Sequence, residues 1–204
     1  RWGRYTFLGF QPSMEIVCHN GELRCRSKAG EEIIQKSPTE YIRNILKENR
    51  SPHLPQLPPF TGGLAGYFSY DFIKYSEPSL ELDAEDKEGF QDVNLMLFDK
   101  VICFDNYCQK IILIQNMKVP KGEEELVKCY EDAILQLDYM TKLIQRSSKA
   151  PTKPLHLLSP FTPLFQEEDY CKMVRQAQKY IHEGDIFQVV LSNRLEADME
   201  GSLL

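Results

Sequence analysis

The chain has 204 residues, 42% hydrophobic and 26% charged, ordinary values for a globular protein with enough apolar material for a core. Its 24 basic and 30 acidic residues leave a net charge of −6, so a nucleic-acid role has no electrostatic support. No apolar run approaches the roughly 18 residues needed to cross a bilayer, no signal-peptide pattern opens the chain, and six cysteines without a C-x-x-C pair read as buried thiols of a reducing, cytoplasmic compartment.

Tyr5-Thr6-Phe7-Leu8-Gly9-Phe10 is aromatic and β-branched and reads as a strand. Glu15–His19 and Glu22–Arg26 flank Asn20-Gly21, the pair that suits a two-residue type I′ hairpin turn. Ala29-Gly30 marks a second turn before 31–35. Ser37-Pro38-Thr39-Glu40 predicts a helix start, with Ser37 as cap, Pro38 at the first position and Glu40 completing a capping box. Tyr41, Ile42, Ile45 and Leu46 form its apolar stripe. The Pro-rich stretch 51–59 must be irregular.

Gly62-Gly63-Leu64-Ala65-Gly66 lacks the Lys-Ser/Thr ending of a phosphate loop and leads into an aromatic strand. Close backbone packing is therefore the better reading of these glycines. Residues 76–92 read as a mobile acidic surface loop. Two strands are expected next, Asn94–Phe104 and Lys110–Gln115, joined by a turn at Asp105-Asn106. Glu123–Gln145 carries Leu126, Tyr130, Ala133, Leu137, Met140 and Ile144 at three- and four-residue intervals, a long helix. A polar stretch from Arg146 and a Pro-containing linker over 151–160 separate it from a helix over Gln166–His182. The face of that helix is Tyr170, Met173, Val174, Ala177 and Ile181, and Gly184 ends it.

Asp185-Ile186-Phe187-Gln188-Val189-Val190-Leu191-Ser192 reads as a buried strand. Alternation puts Ile186, Gln188 and Val190 on one face and Phe187, Val189 and Leu191 on the other. A buried amide must be paired. Gln188 is therefore either a structural amide bonded to neighbouring backbone or a neutral group that orients a ligand. It cannot serve as a general base, since it does not titrate. The four histidines are scattered, so no zinc constellation is visible. The residues alone give an α+β protein and no function.

Gly3-Arg4-Tyr5-Thr6-Phe7-Leu8-Gly9, Gly62 to Asp71, Asp92 to Asp99 and Gly184 to Ser192 resemble successive signatures of the anthranilate synthase large-subunit family of chorismate-using enzymes. The resemblance runs over essentially the whole chain. It implies a truncated two-lobed chorismate-utilising fold, α+β with mostly antiparallel sheets packed together and outer helices: 1–150 an N-terminal lobe, 151–160 a linker, and 161–204 the opening of the chorismate-binding domain. Both termini look cut, so an N-terminal fragment is expected.

The activity implied is a lyase reaction. Chorismate and ammonia give anthranilate and pyruvate on the way to tryptophan, with Mg2+ on the substrate carboxylate. Ammonia would come from a glutamine amidotransferase partner subunit, and tryptophan would inhibit. The resemblance carries over Gln188 as a substrate-orienting residue, and Ser192 and Arg194 more weakly as substrate-binding residues. The family's Mg2+ carboxylates and catalytic histidine would lie beyond the last residue, and part of its tryptophan pocket before the first. The piece alone is thus expected to be inactive.

In isochorismate and salicylate synthases the similar strand carries Lys where Gln188 stands, as a base for water. A neutral residue fits ammonia, already a competent nucleophile. Aminodeoxychorismate synthase also carries Gln but with Tyr before it and Asn after it, so Phe187 and Val189-Val190-Leu191-Ser192 favour anthranilate synthase. The alternatives are that folate-pathway enzyme and a non-catalytic regulatory module.

Overall fold

A computed structural model describes residues 3–77, 79–82, 86, 88–146, 148 and 151–203. By its internal contacts the chain divides into two compact units, Arg1–Ser147 and Ser148–Leu204. The architecture is α+β, and every strand pairing is antiparallel.

The first unit holds β1 (Tyr5–Leu8), β2 (Met14–His19), β3 (Glu22–Ser27), β4 (Gly30–Ile34), α1 (Pro38–Glu48) and β5 (Gly63–Phe68). A 3-10 helix (Tyr70–Tyr75), β6 (Val93–Phe98), β7 (Lys100–Asp105), β8 (Lys110–Gln115) and α2 (Glu123–Gln145) follow. A five-stranded sheet has the order β4-β3-β2-β6-β5, and a three-stranded sheet the order β1-β7-β8. The β2–β3 hairpin turns on Asn20 and Gly21, whose φ values of 47° and 86° are the two positive angles a type I′ turn requires.

One face of the larger sheet is the core. Ile16, Cys18, Leu23, Val93, Leu95 and Leu97 alternate inward and pack with Ile42 and Ile45 of α1. Ser37 caps α1 by accepting the Glu40 amide at 3.2 Å, with Pro38 in the first turn. Leu46, expected in the apolar stripe, is 51% exposed. It falls one helical step past the strip that faces the sheet. Met140 of α2 is fully buried and Ala133, Leu137 and Ile144 are half-buried, whereas Leu126 and Tyr130 of the expected stripe are exposed.

The expected strand Asn94–Phe104 is two strands in two sheets. The chain changes sheet at Asp99, whose carbonyl accepts the Asn116 backbone amide at 2.7 Å and its side-chain amide at 3.2 Å. The Asn116 side chain also donates to the Thr61 carbonyl at 2.7 Å. The charged pair Asp99-Lys100 breaks the apolar run at this corner, but each half keeps its own alternation, so the sequence reads as one strand.

The glycines before and in β5 are packed closely, as expected. A β-carbon on Gly66 (φ 152°) would stand 2.0 Å from the Asn94 carbonyl oxygen, and one on Gly62 (φ 135°) 2.8 Å from that of Phe98. The loop expected over 76–92 has no helix or strand among its described residues. Residues 78, 83–85 and 87 of that loop, and 147, 149 and 150 after α2, lie outside the described set. The loop's last residue, Asp92, is 3% exposed and not a surface group.

The second unit is small. It comprises β9 (His156–Leu157), β10 (Thr162–Pro163), α3 (Glu167–Glu183), β11 (Leu195–Glu196) and β12 (Met199–Glu200). β10 pairs with β11, and β12 with β9. Gly184 caps α3 in the left-handed conformation (φ 84°), as the sequence predicts. No described residue of this unit is buried.

The cysteines are free; Cys18, Cys25 and Cys103 are buried, Cys129 is intermediate, and Cys108 and Cys171 are exposed. The last two depart from the expectation of uniformly buried thiols. Cys108 lies in the β7–β8 turn and Cys171 in the first half of α3, and both are exposed.

Candidate functional site

The strand expected over 185–192 is not a strand. None of these residues pairs with another strand among the described residues, and without ladder hydrogen bonds an apolar run has no sheet to join. Ile186 and Leu191 are half-buried, Val190 is 80% exposed and Phe187 fully so. The two-faced pattern is therefore absent. Gln188 is exposed, so it is not the buried amide expected of an inward-facing strand position. Ser192 is exposed, and Arg194, also exposed, forms an ion pair with Glu196. The three residues lie close along the chain, and each is exposed.

What the run does have is anchorage. At its start the Asp185 amide donates to the Tyr180 carbonyl at 3.0 Å. At its end the Tyr170 hydroxyl donates to the Leu191 carbonyl at 3.2 Å. Next to that, the Asn193 side chain accepts the Phe165 amide at 3.0 Å and donates to the Phe165 carbonyl at 2.8 Å.

The polar centre of the first unit is elsewhere, and the sequence did not announce it. Asp92 accepts from Lys74 Nζ at 2.8 Å, from the Tyr75 hydroxyl at 2.7 Å and from the Asn20 backbone amide at 2.8 Å. Tyr75 in turn accepts the Gly21 amide at 2.7 Å and lies 3.3 Å from the Cys18 thiol. Burial pushes the Asp92 pKa up, but the bonds from Lys74, Tyr75 and Asn20 outweigh it and hold the carboxylate below its ordinary value. Burial and the bond to Asp92 push the Tyr75 phenol well above its ordinary value. Burial likewise raises the Cys18 thiol. These are the shifts of a neutral phenol and thiol gathered round a paired carboxylate, a structural knot that ties the hairpin turn to the 3-10 helix. The signal available was an Asp placed directly before the alternating run Val93–Phe98, but nothing marked Lys74 or Tyr75 as its partners.

The opposite face of the five-stranded sheet forms an open groove of about 840 Å³. Arg24 pairs there with Glu22 and Glu31, and Arg26 with Glu15 at 3.6 Å and Glu31 at 3.3 Å. The charges cancel locally, so the face offers no single-sign field to a ligand. No group of three or more His, Cys, Asp or Glu among the described residues could hold a metal ion. No helix among them is long and apolar enough to cross a membrane.

Residues 2–204 match the family described as chorismate binding enzyme. The chain belongs to that family. Among relatives, anthranilate synthase component 1 of Acinetobacter calcoaceticus is 34% identical over 100% of this chain and 41% of its own length. That of Acetivibrio thermocellus is 33% identical over 96% of this chain and 40% of its own length. A chloroplastic anthranilate synthase alpha subunit of Arabidopsis thaliana is 32% identical, with 95% and 34% covered. Among solved structures, anthranilate synthase component I of Streptococcus pneumoniae aligns over all of this chain and 44% of its own, with a TM-score of 0.75 and 25% identity. The chain thus spans about two fifths of the length of the chorismate binding enzymes it matches.

Proposed function

We propose that this chain is part of the large subunit of an anthranilate synthase, a lyase that converts chorismate and ammonia to anthranilate and pyruvate in tryptophan biosynthesis. The observation that carries this reading is similarity along the entire chain to anthranilate synthase component 1 proteins of bacteria and plants. Gln188 adds chemical support. Its amide can orient an ammonia nucleophile or a ring substituent, and it cannot withdraw a proton from water, so it suits a reaction in which the nucleophile needs no base. Phe187 before it and Val189-Val190-Leu191-Ser192 after it favour this enzyme over the aminodeoxychorismate one.

In the proposed roles, Gln188 orients the reacting centre, while the Ser192 hydroxyl and the Arg194 guanidinium help to hold a substrate carboxylate. Mg2+ would supply a clamp on the anionic substrate and stabilise developing charge. The donor sets described here do not fit that ion, so its ligands are assigned to other parts of the protein and no step of this chain runs through it. A glutamine amidotransferase subunit as ammonia source, tryptophan as inhibitor and a cytoplasmic setting complete the proposal. Residues 1–150 would be the N-terminal lobe and 161–204 the beginning of the chorismate-binding domain.

The test is anthranilate fluorescence from the full-length polypeptide that carries this sequence, given chorismate, an ammonium salt and Mg2+. Anthranilate should accumulate, and the 204-residue chain alone should form none. Accumulation of aminodeoxychorismate in place of anthranilate, or no consumption of chorismate, would overturn the reading.

A further inference from the structure

We infer that residues 79–82 are a site at which a protease can cut this chain while the first unit stays assembled, with Asp92 fastening the two pieces together.

The strands are interleaved across that point. Residues before the cut supply β1 to β5, α1 and the 3-10 helix, and residues after it supply β6, β7, β8 and α2. Neither sheet belongs to one piece. In the larger, β6 pairs with β2 along Val93–Leu97 and with β5 along Val93–Phe98, so the later piece is inserted between two strands of the earlier one. In the smaller, β1 of the earlier piece pairs with β7 of the later one along Tyr5–Leu8. The core divides in the same way, with Val93, Leu95 and Leu97 packed against Ile16, Cys18, Leu23, Ile42 and Ile45. Burial of apolar surface depends on contact and not on a covalent link between the surfaces.

Close to the cut, Asp92 of the later piece holds four groups of the earlier one. Its carboxylate accepts from Lys74 Nζ, the Tyr75 hydroxyl and the Asn20 amide, and its carbonyl accepts the Ser69 amide at 3.0 Å. The side chain is buried, and hydrogen bonds to an ionised group are the stronger kind. Phe90 adds an edge-on contact with the Tyr67 ring at 6.4 Å between centroids, and its carbonyl lies 3.2 Å from His19 Nδ1.

Residues 79–82 differ in each respect. All are exposed, and the Leu80 amide bonds within the same stretch, to the Glu77 carbonyl at 3.1 Å. Exposed backbone with local bonds opens at little cost, which is what a protease needs. The bonds that join the pieces are made inside the first unit, so they do not depend on segments that only the longer relatives carry.

The experiment uses the 204-residue chain with the recognition sequence of a specific protease inserted between Leu80 and Glu81. After complete cutting the pieces should elute together at micromolar concentration, with the amides of β2, β5 and β6 still protected from exchange. Asp92→Ala should raise the dissociation constant of the cut pieces on the order of 100-fold, since it leaves a buried cation and two donors without their acceptor. Tyr75→Phe, which removes one oxygen atom, should raise it about tenfold and serves where Asp92→Ala does not fold. An inserted site that resists the protease, or wild-type pieces that separate once cut, would overturn the inference. So would variant pieces that hold as tightly as the wild-type ones.

Discussion

The two units use similar residues to opposite ends. In the first, the alternating run Val93–Phe98 lies between two partner strands, and its Val93, Leu95 and Leu97 are among the most buried residues of the chain. In the second, the comparably apolar run 185–192 meets no strand among the described residues of a chain that spans about two fifths of its relatives, and Phe187 and Val190 are exposed. Composition and alternation are much the same. The difference is the partner: burial belongs to a strand pair and a layer above it, not to a sequence of apolar residues.

Matched substitutions sharpen that contrast. Leu95→Ala should cost about 3–4 kcal/mol of stability in urea unfolding of the chain, since it opens a cavity between the sheet and α1. A cost under about 1 kcal/mol would mean that this core is not packed as described. Asp92→Ala should cost about 3 kcal/mol, because it leaves Lys74, the Tyr75 hydroxyl and the Asn20 amide without their acceptor.

The same carboxylate gives the first unit an acid limit. Its pKa is lowered on folding, so its contribution is complete above the ordinary value of 3.8 and is lost as pH falls below that. Asp105, held down by its hydrogen bonds from Arg4 at 2.8 and 3.2 Å, adds in the same direction. Unfolding followed from pH 6 to pH 2 should show stability falling, and the fall should be shallower in Asp92→Asn.

Ser37→Ala should cost about 1 kcal/mol through loss of the α1 cap, read as a shift in thermal midpoint. Val190→Ala should change stability by less than about 0.5 kcal/mol, as for other exposed sites. A loss as large as that of Leu95→Ala would erase the distinction between the two runs.

Much of the fold was legible where the signal is local. Asn20-Gly21 specified its own turn, Ser37-Pro38 its cap, Gly184 the end of α3, and the extent of α2 followed from the spacing of Leu126, Tyr130, Ala133, Leu137, Met140 and Ile144, of which the first two are exposed. What stayed hidden depended on residues far apart in sequence. The corner at Asp99 requires Asn116, and the burial of Asp92 requires Lys74, Tyr75 and the hairpin. For the candidate site, chemistry was readable and placement was not. The amide of Gln188 says what it cannot do, but no local pattern says that the run lacks a ladder or that Asn193 fastens it.

The passage of the chain from β6 straight into β7 has a mechanical consequence. Because one continuous backbone is the second-last strand of the larger sheet and the middle strand of the smaller, neither sheet can be peeled away without dragging the other. The Asn116 bonds at the bend remove the loop that would otherwise act as a release point. Amide protection in the two sheets should therefore collapse together, as one cooperative foldon, and a protease should find no cut that frees one sheet intact.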